Sequence, residues 1–138
     1  MITSIPHSSL NLSRYASLHQ LGVFPLGGEE DYVGPTGNLR CVPVPYGARW
    51  EAYAPLLKER AVPFLKEFNP DLVIVSAGYD ALASDELANV QLVPVDYRSI
   101  AEILRENFGA MVFGLEGGYN LRDLPVAVEH TLSPYLKL

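Results

Sequence analysis

Two carboxylates, Asp80 and Asp85, follow an apolar run of three β-branched residues, Val73–Val75. Such a run predicts a buried strand, and the small residues after it predict a tight turn. In open parallel α/β sheets, ligands bind beyond the carboxyl ends of the strands. A carboxylate at this place could therefore bind a metal or transfer a proton. The structural alternative is that it caps the next helix.

A second apolar run, Met111–Leu115, ends in Glu-Gly-Gly-Tyr-Asn. Gly117 and Gly118 allow positive φ and close backbone approach, which would let Tyr119 project at the mouth of a site. Asn120 is a good N-cap for the segment that follows it. A single turn of this kind would be read as a plain strand-to-helix connection. Two strand ends with polar groups in one small domain favour a shared site.

Alternating strands and helices would position these turns. We predict helices at 48–68, 96–107 and 121–132, and strands at 15–18, 39–44, from about 72 and 111–115. Pro55 and Pro63 predict a late start or a kink in the first helix. Residues 1–14 give no confident element, and 22–37 reads as a long loop. The order predicts an α/β fold with a parallel sheet flanked by helices and right-handed crossovers.

The composition narrows the class of protein. The chain has 138 residues, 49% of them hydrophobic, so we expect one globular domain. A net charge of −6 argues against nucleic acid or an anionic membrane surface as partner and would suit a cationic substrate. Cys41 is the only cysteine, which excludes an intramolecular disulfide and a cysteine-based zinc site within the chain. With no signal-peptide pattern and no long apolar run, the expectation is a soluble cytoplasmic protein.

These motifs together resemble the zinc-dependent histone deacetylase family, which includes bacterial acetylpolyamine amidohydrolases and acetoin-utilisation proteins. Two motifs occur in the family's order and at its separation, which makes the resemblance specific. It covers residues 15–138 and leaves 1–14 as an unmatched N-terminal segment. The segments that carry it are Ser17–Gln20, Phe24-Pro25, Asn69–Asp71, Ser76–Ala81, Ser84-Asp85 and Leu115–Asn120.

The resemblance implies a fold, an activity and a set of site residues. The fold would be the C-terminal part of the arginase/deacetylase fold, and the activity zinc-dependent hydrolysis of acetyl-lysine or another acetylated amine. By motif match, Asp85 falls on a Zn²⁺ ligand and Tyr119 on the tyrosine that stabilises the oxyanion. Phe24 falls on an aromatic wall of the substrate channel.

Further positions match supporting parts of the family site. Ser17 and Leu18 match a segment that helps to hold a structural monovalent cation, with K⁺ as the candidate ion. Gly117 and Gly118 match the turn that presents the tyrosine. Asp80 belongs to the signature without being a ligand, and we expect it to fix its turn through backbone hydrogen bonds. One departure is Glu86, which stands where the family usually has proline.

Two zinc ligands and the catalytic histidine pair of the family have no match in the chain. The family supplies those ligands in an Asp-x-His motif, but His7, His19 and His130 are not preceded by aspartate at that spacing. Packing is the simpler interpretation of these three histidines. Because a catalytic zinc site needs three protein ligands, we expect the chain to be a C-terminal part of the domain and inactive alone.

Three hypotheses therefore stay open. The first is part of a deacetylase, completed by an N-terminal half of the domain or left as a truncated gene product. The second is a non-catalytic module that binds acyl-lysine or acetylpolyamine. The third is an unrelated small α/β protein. A truncated parallel sheet would expose an edge and an apolar face, which predicts self-association.

Overall fold

A computed structural model describes residues 2–5, 13–23, 26–30 and 32–136, with the backbone alone for 2–5. Five strands and four α-helices occur in these ranges, and a short 3₁₀ turn follows the last helix at Ser133–Tyr135. In chain order the elements are β1 (Ile2–Ile5), β2 (Arg14–Gln20), β3 (Leu39–Val44), α1 (Trp50–Leu56), a π turn (Leu57–Ala61), α2 (Val62–Glu67), β4 (Leu72–Ala77), α3 (Pro94–Asn107), β5 (Ala110–Leu115) and α4 (Asp123–Leu132).

The strands form one sheet in the order β3-β2-β1-β4-β5. β2 pairs parallel with β3, and β4 pairs parallel with β5, as the sequence predicts. β1 runs antiparallel to both β2 and β4, so the four longer strands all point the same way. The predicted parallel α/β sheet flanked by helices is therefore confirmed for these four strands. β1 falls in a segment for which no element was predicted.

The central strand covers only part of its two neighbours. Ile2 lies opposite Ala16 of β2 and Val75 of β4, and the rest of β1 continues towards the amino ends of those strands. β1 therefore does not pair with the last four residues of β2 or the last two of β4. Those residues lie at the carboxyl edge of the sheet, where the two predicted site turns begin.

The main core lies between one face of the sheet and the helices. Val73 and Val75 of β4 point to the same face because side chains alternate along a strand. They belong to one buried cluster with Leu57 and Leu65 from the first helical segment and Leu104 of α3. The helices before and after β4 thus cover the same side of the sheet.

The opposite face is less covered by the described residues. Ile74 is only partly buried, and its β5 partner Val112 is 53% exposed. Strands of parallel sheets are usually buried on both faces and carry continuous apolar runs. Leu72–Val75 is such a run. Its composition is typical of a strand that is buried on both faces, whereas the described residues bury mainly one face.

The helical segment predicted at 48–68 is present and contains the predicted irregularity. Pro55 lies within α1, and Pro63 lies in the first turn of α2. A proline inside a helix removes one hydrogen bond and crowds the carbonyl four residues earlier. The π turn at Leu57–Ala61 gives the backbone the extra room before Pro63.

The other helices lie within two residues of their predicted starts. α3 begins at Pro94, two residues early, and the Asp96 carboxylate accepts a hydrogen bond from the backbone N–H of Val93 at 2.8 Å. α4 begins at Asp123, two residues late. No helix in the described ranges is long and apolar enough to cross a membrane.

Candidate active site at the carboxyl edge of the sheet

Asp85 lies in the turn region after β4, and each oxygen of its carboxylate accepts one hydrogen bond from a backbone N–H. Asp85 is only 7% exposed. Oδ1 accepts a hydrogen bond from the N–H of Leu87 at 3.0 Å. Oδ2 accepts one from the N–H of Tyr119 at 2.7 Å. Because Tyr119 follows β5, this side chain joins the turns after two neighbouring strands.

Asn120 makes a second connection between the same two turns. Its Nδ2 donates a hydrogen bond to the carbonyl oxygen of Ser84 at 2.8 Å. Its Oδ1 accepts hydrogen bonds from the N–H groups of Arg122 and Asp123 at 3.1 and 3.0 Å. The side chain thus satisfies otherwise unpaired donors at the start of α4, which is the role predicted for it.

The backbone between the two strand ends is also paired. The N–H of Glu116 donates to the carbonyl of Ala77 at 3.0 Å, and the N–H of Tyr79 donates to the carbonyl of Gly117 at 2.8 Å. These bonds extend the β4–β5 pairing into the turns that carry Asp85 and Tyr119. The two motifs predicted to share a site are therefore adjacent.

Gly118 occupies a position that excludes a side chain. Its φ is +132°, and an added Cβ would lie 2.8 Å from Cβ of Tyr79 and 3.0 Å from Cδ1 of Leu124. The turn consequently needs glycine for both its backbone angle and its packing. The following residue, Tyr119, is 60% exposed, so its side chain lies at the surface of this edge.

Asp80 packs against Gly78 of its own turn and Gly117 of the neighbouring turn. A Cβ on Gly117 would lie 2.6 Å from Oδ2 of Asp80, and one on Gly78 would lie 2.9 Å from Oδ1. Burial raises the pKa of the Asp80 carboxyl, hydrogen bonds from its own N–H and that of Ala81 oppose the shift, and the charge of Asp85 adds to it. Asp80 thus lies beneath the site turns as a partly desolvated acid.

Two buried tyrosines support this arrangement and were not identified from the sequence. The hydroxyl of Tyr79 donates to Oγ1 of Thr131 on α4 at 3.1 Å, and that of Tyr97 donates to the carbonyl of Gly78 at 3.3 Å. The two rings stack with centroids 4.9 Å apart. Burial raises the pKa of both hydroxyls, so both stay neutral donors. The signals in the sequence were the place of Tyr79 inside the Gly-Tyr-Asp signature and the helical spacing of Tyr97 to Ala101 and Leu104.

The end of β2 lies at the same edge. Ser17 is 9% exposed, Leu18 is half-buried, and Oγ of Ser17 lies 2.9 Å from Nδ1 of His19. Oε1 of Gln20 accepts a hydrogen bond from the N–H of Asn89 at 3.0 Å, which connects β2 to the loop after Asp85. Phe24, the predicted channel residue, lies outside the described residues.

The described residues do not form a complete metal site. They contain no group of three His, Cys, Asp or Glu side chains that could hold a metal ion. Each carboxylate oxygen of Asp85 accepts one backbone N–H, and an ionised carboxylate oxygen can accept more than one contact. Asp85 could therefore serve as one metal ligand. The described residues as a whole do not supply the three protein ligands that a zinc site needs.

Comparison with known proteins identifies the family. The family model described as "Histone deacetylase domain" matches residues 9–134. The chain is 40% identical over 122 residues to the uncharacterized protein slr0245 of Synechocystis, covering 88% of this chain and 40% of that protein. It is 36% identical over 119 residues to the histone deacetylase-like amidohydrolase of Pseudomonas aeruginosa, covering 79% and 31% respectively.

Solved structures agree. The HD domain of HDA15 superimposes with a TM-score of 0.84 at 31% identity, covering 91% of this chain and 39% of that one. The acetylpolyamine aminohydrolase of Burkholderia pseudomallei gives a TM-score of 0.79 at 22% identity, with 88% and 37% covered, and so shows the shared fold. The chain thus spans about 40% or less of the length of these relatives. The chain belongs to the histone deacetylase family, of whose domain it contains a portion.

Proposed function

We propose that this chain contributes the C-terminal part of a zinc-dependent deacetylase site that hydrolyses acetyl-lysine or another acetylated amine. Asp85 would be one zinc ligand and Tyr119 the residue that stabilises the oxyanion. The hydrogen bond from the N–H of Tyr119 to Oδ2 of Asp85 is the observation that carries the proposal. It holds the two residue types that the reaction needs within one connected pair of turns.

Tyr119 has a hydroxyl suited to the charge that develops during amide hydrolysis. Attack on the acetyl carbonyl places negative charge on its oxygen, and a preorganised hydrogen-bond donor lowers the free energy of that state. The backbone of Tyr119 is held on one side by Gly118 and through its N–H by Asp85. Its exposed side chain can therefore reach a substrate while its main chain stays fixed.

The remaining zinc ligands and the proton-transferring histidines would come from polypeptide outside these 138 residues. Of the three histidines, His19 has both ring nitrogens in hydrogen bonds, His130 lies on α4, and His7 lies outside the described residues. We propose that the sheet face around Val112 and the edge of β5 receive that polypeptide. The chain alone would then be inactive.

Metal content tests the part played by Asp85. We expect the purified chain to lose zinc on dialysis. Mixed with the part of the Synechocystis relative that this chain does not match, it should retain about one equivalent, and Asp85→Asn should lower that occupancy. Stoichiometric zinc on the chain alone, or full occupancy in the Asp85→Asn mixture, would contradict the proposal.

A second candidate is a module that binds acyl-lysine or acetylpolyamine without hydrolysis. It is favoured by the two backbone hydrogen bonds of Asp85, through which this chain's own residues fix the Tyr119 turn. Calorimetry with acetyl-lysine peptides and acetylpolyamines, with and without zinc, distinguishes the two. Heat of binding from the chain alone supports the module, and no heat in either condition removes it.

Three finer assignments belong to the same proposal. Ser17 and Leu18 would contact a K⁺ ion, and the burial of Ser17 at the end of β2 supports this. Phe24 would line the substrate channel. The protein would act in the cytoplasm, although one plant relative, rice histone deacetylase 10, is named chloroplastic.

A further inference from the structure

His19, at the carboxyl end of β2, is connected through both ring nitrogens. Nδ1 lies 2.9 Å from Oγ of Ser17, and Nε2 lies 2.8 Å from the carbonyl oxygen of Gly28. We propose that His19 is a positioning residue: it holds the glycine loop, residues 26–30, against the end of β2 and sets the direction of the Ser17 hydroxyl.

The partners of the ring determine its tautomer. A carbonyl oxygen can only accept a hydrogen bond, so Nε2 of His19 must carry the proton that bonds to Gly28. In the neutral ring Nδ1 is then an acceptor, and the Ser17 hydroxyl must donate to it. The hydrogen of the Ser17 hydroxyl is consequently directed at Nδ1 of His19, and the Ser17 side chain also hydrogen-bonds with the hydroxyl of Tyr15.

The position of Gly28 indicates how closely the ring and the loop fit. A Cβ on Gly28 would lie 2.4 Å from Nε2 and 2.8 Å from Cε1 of His19, and φ at Gly28 is +81°. Any other residue there would therefore displace the ring. Gly27 gives a contrast within the same loop, because its φ is +101° but an added Cβ would meet nothing within 4 Å.

A second contact holds the loop from the other side. The guanidinium of Arg60, in the π turn, forms a salt bridge with the carboxylate of Glu30. Both partners are partly exposed, so this bridge contributes little alone. The half-buried His19 contact is then the stronger of the two restraints on the loop.

The loop borders the candidate site because β2 ends at the edge of the sheet that carries Asp85 and Tyr119, and Gln20 contacts the loop after Asp85. That the loop flanks a substrate rests on the proposed function. The restraint itself does not, so it is tested by measurements that need neither zinc nor substrate.

Three substitutions separate the two ring contacts. His19→Gln keeps a donor near the Nε2 position, His19→Asn keeps a group near Nδ1, and His19→Phe keeps the ring but neither contact. The readout is amide hydrogen exchange at Leu26 and Tyr32, whose N–H groups bond to the carbonyl oxygens of Val23 and Glu29 at the two ends of the loop. We expect exchange about tenfold faster in His19→Asn and His19→Phe, with near-native rates in His19→Gln. His130→Gln is the control.

Ring ¹⁵N chemical shifts supply a signature that a purely packing role would not produce. We expect the Nε2–H tautomer of His19 in the native chain. Gly28→Ala should shift both ring nitrogens and speed loop exchange, whereas Gly27→Ala, with similar backbone strain and open space, should leave the ring shifts unchanged. An Nδ1–H tautomer, or native loop exchange in His19→Phe with equal global stability, would overturn the proposal. Neither result would bear on the deacetylase assignment.

Discussion

The carboxylate of Asp85 accepts a hydrogen bond from the backbone N–H of Tyr119 at 2.7 Å, across 34 residues of sequence. The contact joins the turns after β4 and β5. A second hydrogen bond, donated by Nδ2 of Asn120 to the carbonyl oxygen of Ser84 at 2.8 Å, joins the same two turns. The residue predicted as a metal ligand therefore also fixes the main chain of the residue predicted to stabilise the oxyanion.

Replacing Asp85 should destabilise the fold as well as the site. In Asp85→Asn the amide can present one oxygen, so one of the two backbone donors at Leu87 and Tyr119 faces an N–H₂ group. We expect a loss of about 1–3 kcal/mol in the free energy of unfolding, measured by urea denaturation. Glu86→Gln is the matched control because Glu86 is the exposed neighbour. Equal stability of the two variants would show that the Asp85 contacts carry little free energy.

Gly118 should tolerate no side chain. In Gly118→Ala the positive φ and the contact with Tyr79 should together cost about 2–4 kcal/mol, read as a lower thermal midpoint. Gly109→Ala is the matched control, since its added Cβ meets nothing within 4 Å and its φ is not positive. We expect it to change stability by less than about 1 kcal/mol. A Gly118→Ala chain as stable as Gly109→Ala would mean that the turn can move.

Asp80 should make stability depend on pH with a defined sign. Its pKa in the folded chain lies above the ordinary value of 3.8, chiefly because burial disfavours the charge. The folded state thus holds this proton to higher pH than the unfolded state, and the favourable contribution is lost as pH rises through the folded pKa. Relative to wild type, Asp80→Asn should therefore gain stability as the pH rises above about 4.

The measurement is the difference in unfolding free energy between Asp80→Asn and wild type, followed as the pH is raised. The substitution also changes hydrogen bonding, which shifts the unfolding free energy by the same amount at every pH. Only the dependence of the difference on pH therefore reports the titration of Asp80. Glu106→Gln, at an exposed position near the end of α3, is the control. The prediction would be refuted if the difference in unfolding free energy did not change with pH, or if Asp80→Asn lost stability relative to wild type as the pH rose.

Much of the fold could be predicted from the sequence because the patterns are local. β3 and β4 are runs of apolar and β-branched residues bounded by turns, and they lie where those patterns place them. The irregular first helix follows from Pro55 and Pro63, since the missing N–H and the ring crowding act within one turn. The helix starts at Pro94 and Asp123 each differ from prediction by two residues, which is the usual scatter of helix ends.

β1 and the contacts within the site could not be predicted in this way. Ile2–Ile5 is a strand through pairing with β2 and β4, whose residues lie 10 or more positions away in sequence. The four residues Ile2–Ile5 carry no pattern that would indicate pairing with β2 or β4. The hydrogen bond from Tyr119 to Asp85 likewise depends on parallel pairing of β4 and β5 in one register. Tyr97 has helical spacing to the buried Ala101 and Leu104, so the pattern of α3 is consistent with its burial, but its stacking on Tyr79 joins separate elements and is not visible in the sequence.

The open face of the sheet predicts association of the isolated chain. Val112 is 53% exposed on the open face of β5, which is an edge strand. Edge strands with apolar side chains pair readily with other chains. We expect size-exclusion chromatography with light scattering to show dimers or larger species that Val112→Lys reduces. Val126→Lys, at a 43% exposed position on α4, should have no such effect. A monomer at all concentrations would exclude this association.

The rate of acetyl-lysine peptide hydrolysis tests the central claim most directly. The chain is assayed alone and together with the part of the Synechocystis relative that it does not match, each with zinc. We predict no turnover from the chain alone and zinc-dependent turnover from the mixture, reduced about 100-fold or more by Tyr119→Phe. Turnover by the chain alone would contradict the claim, as would an active mixture in which Tyr119→Phe has no effect or a mixture that forms no complex.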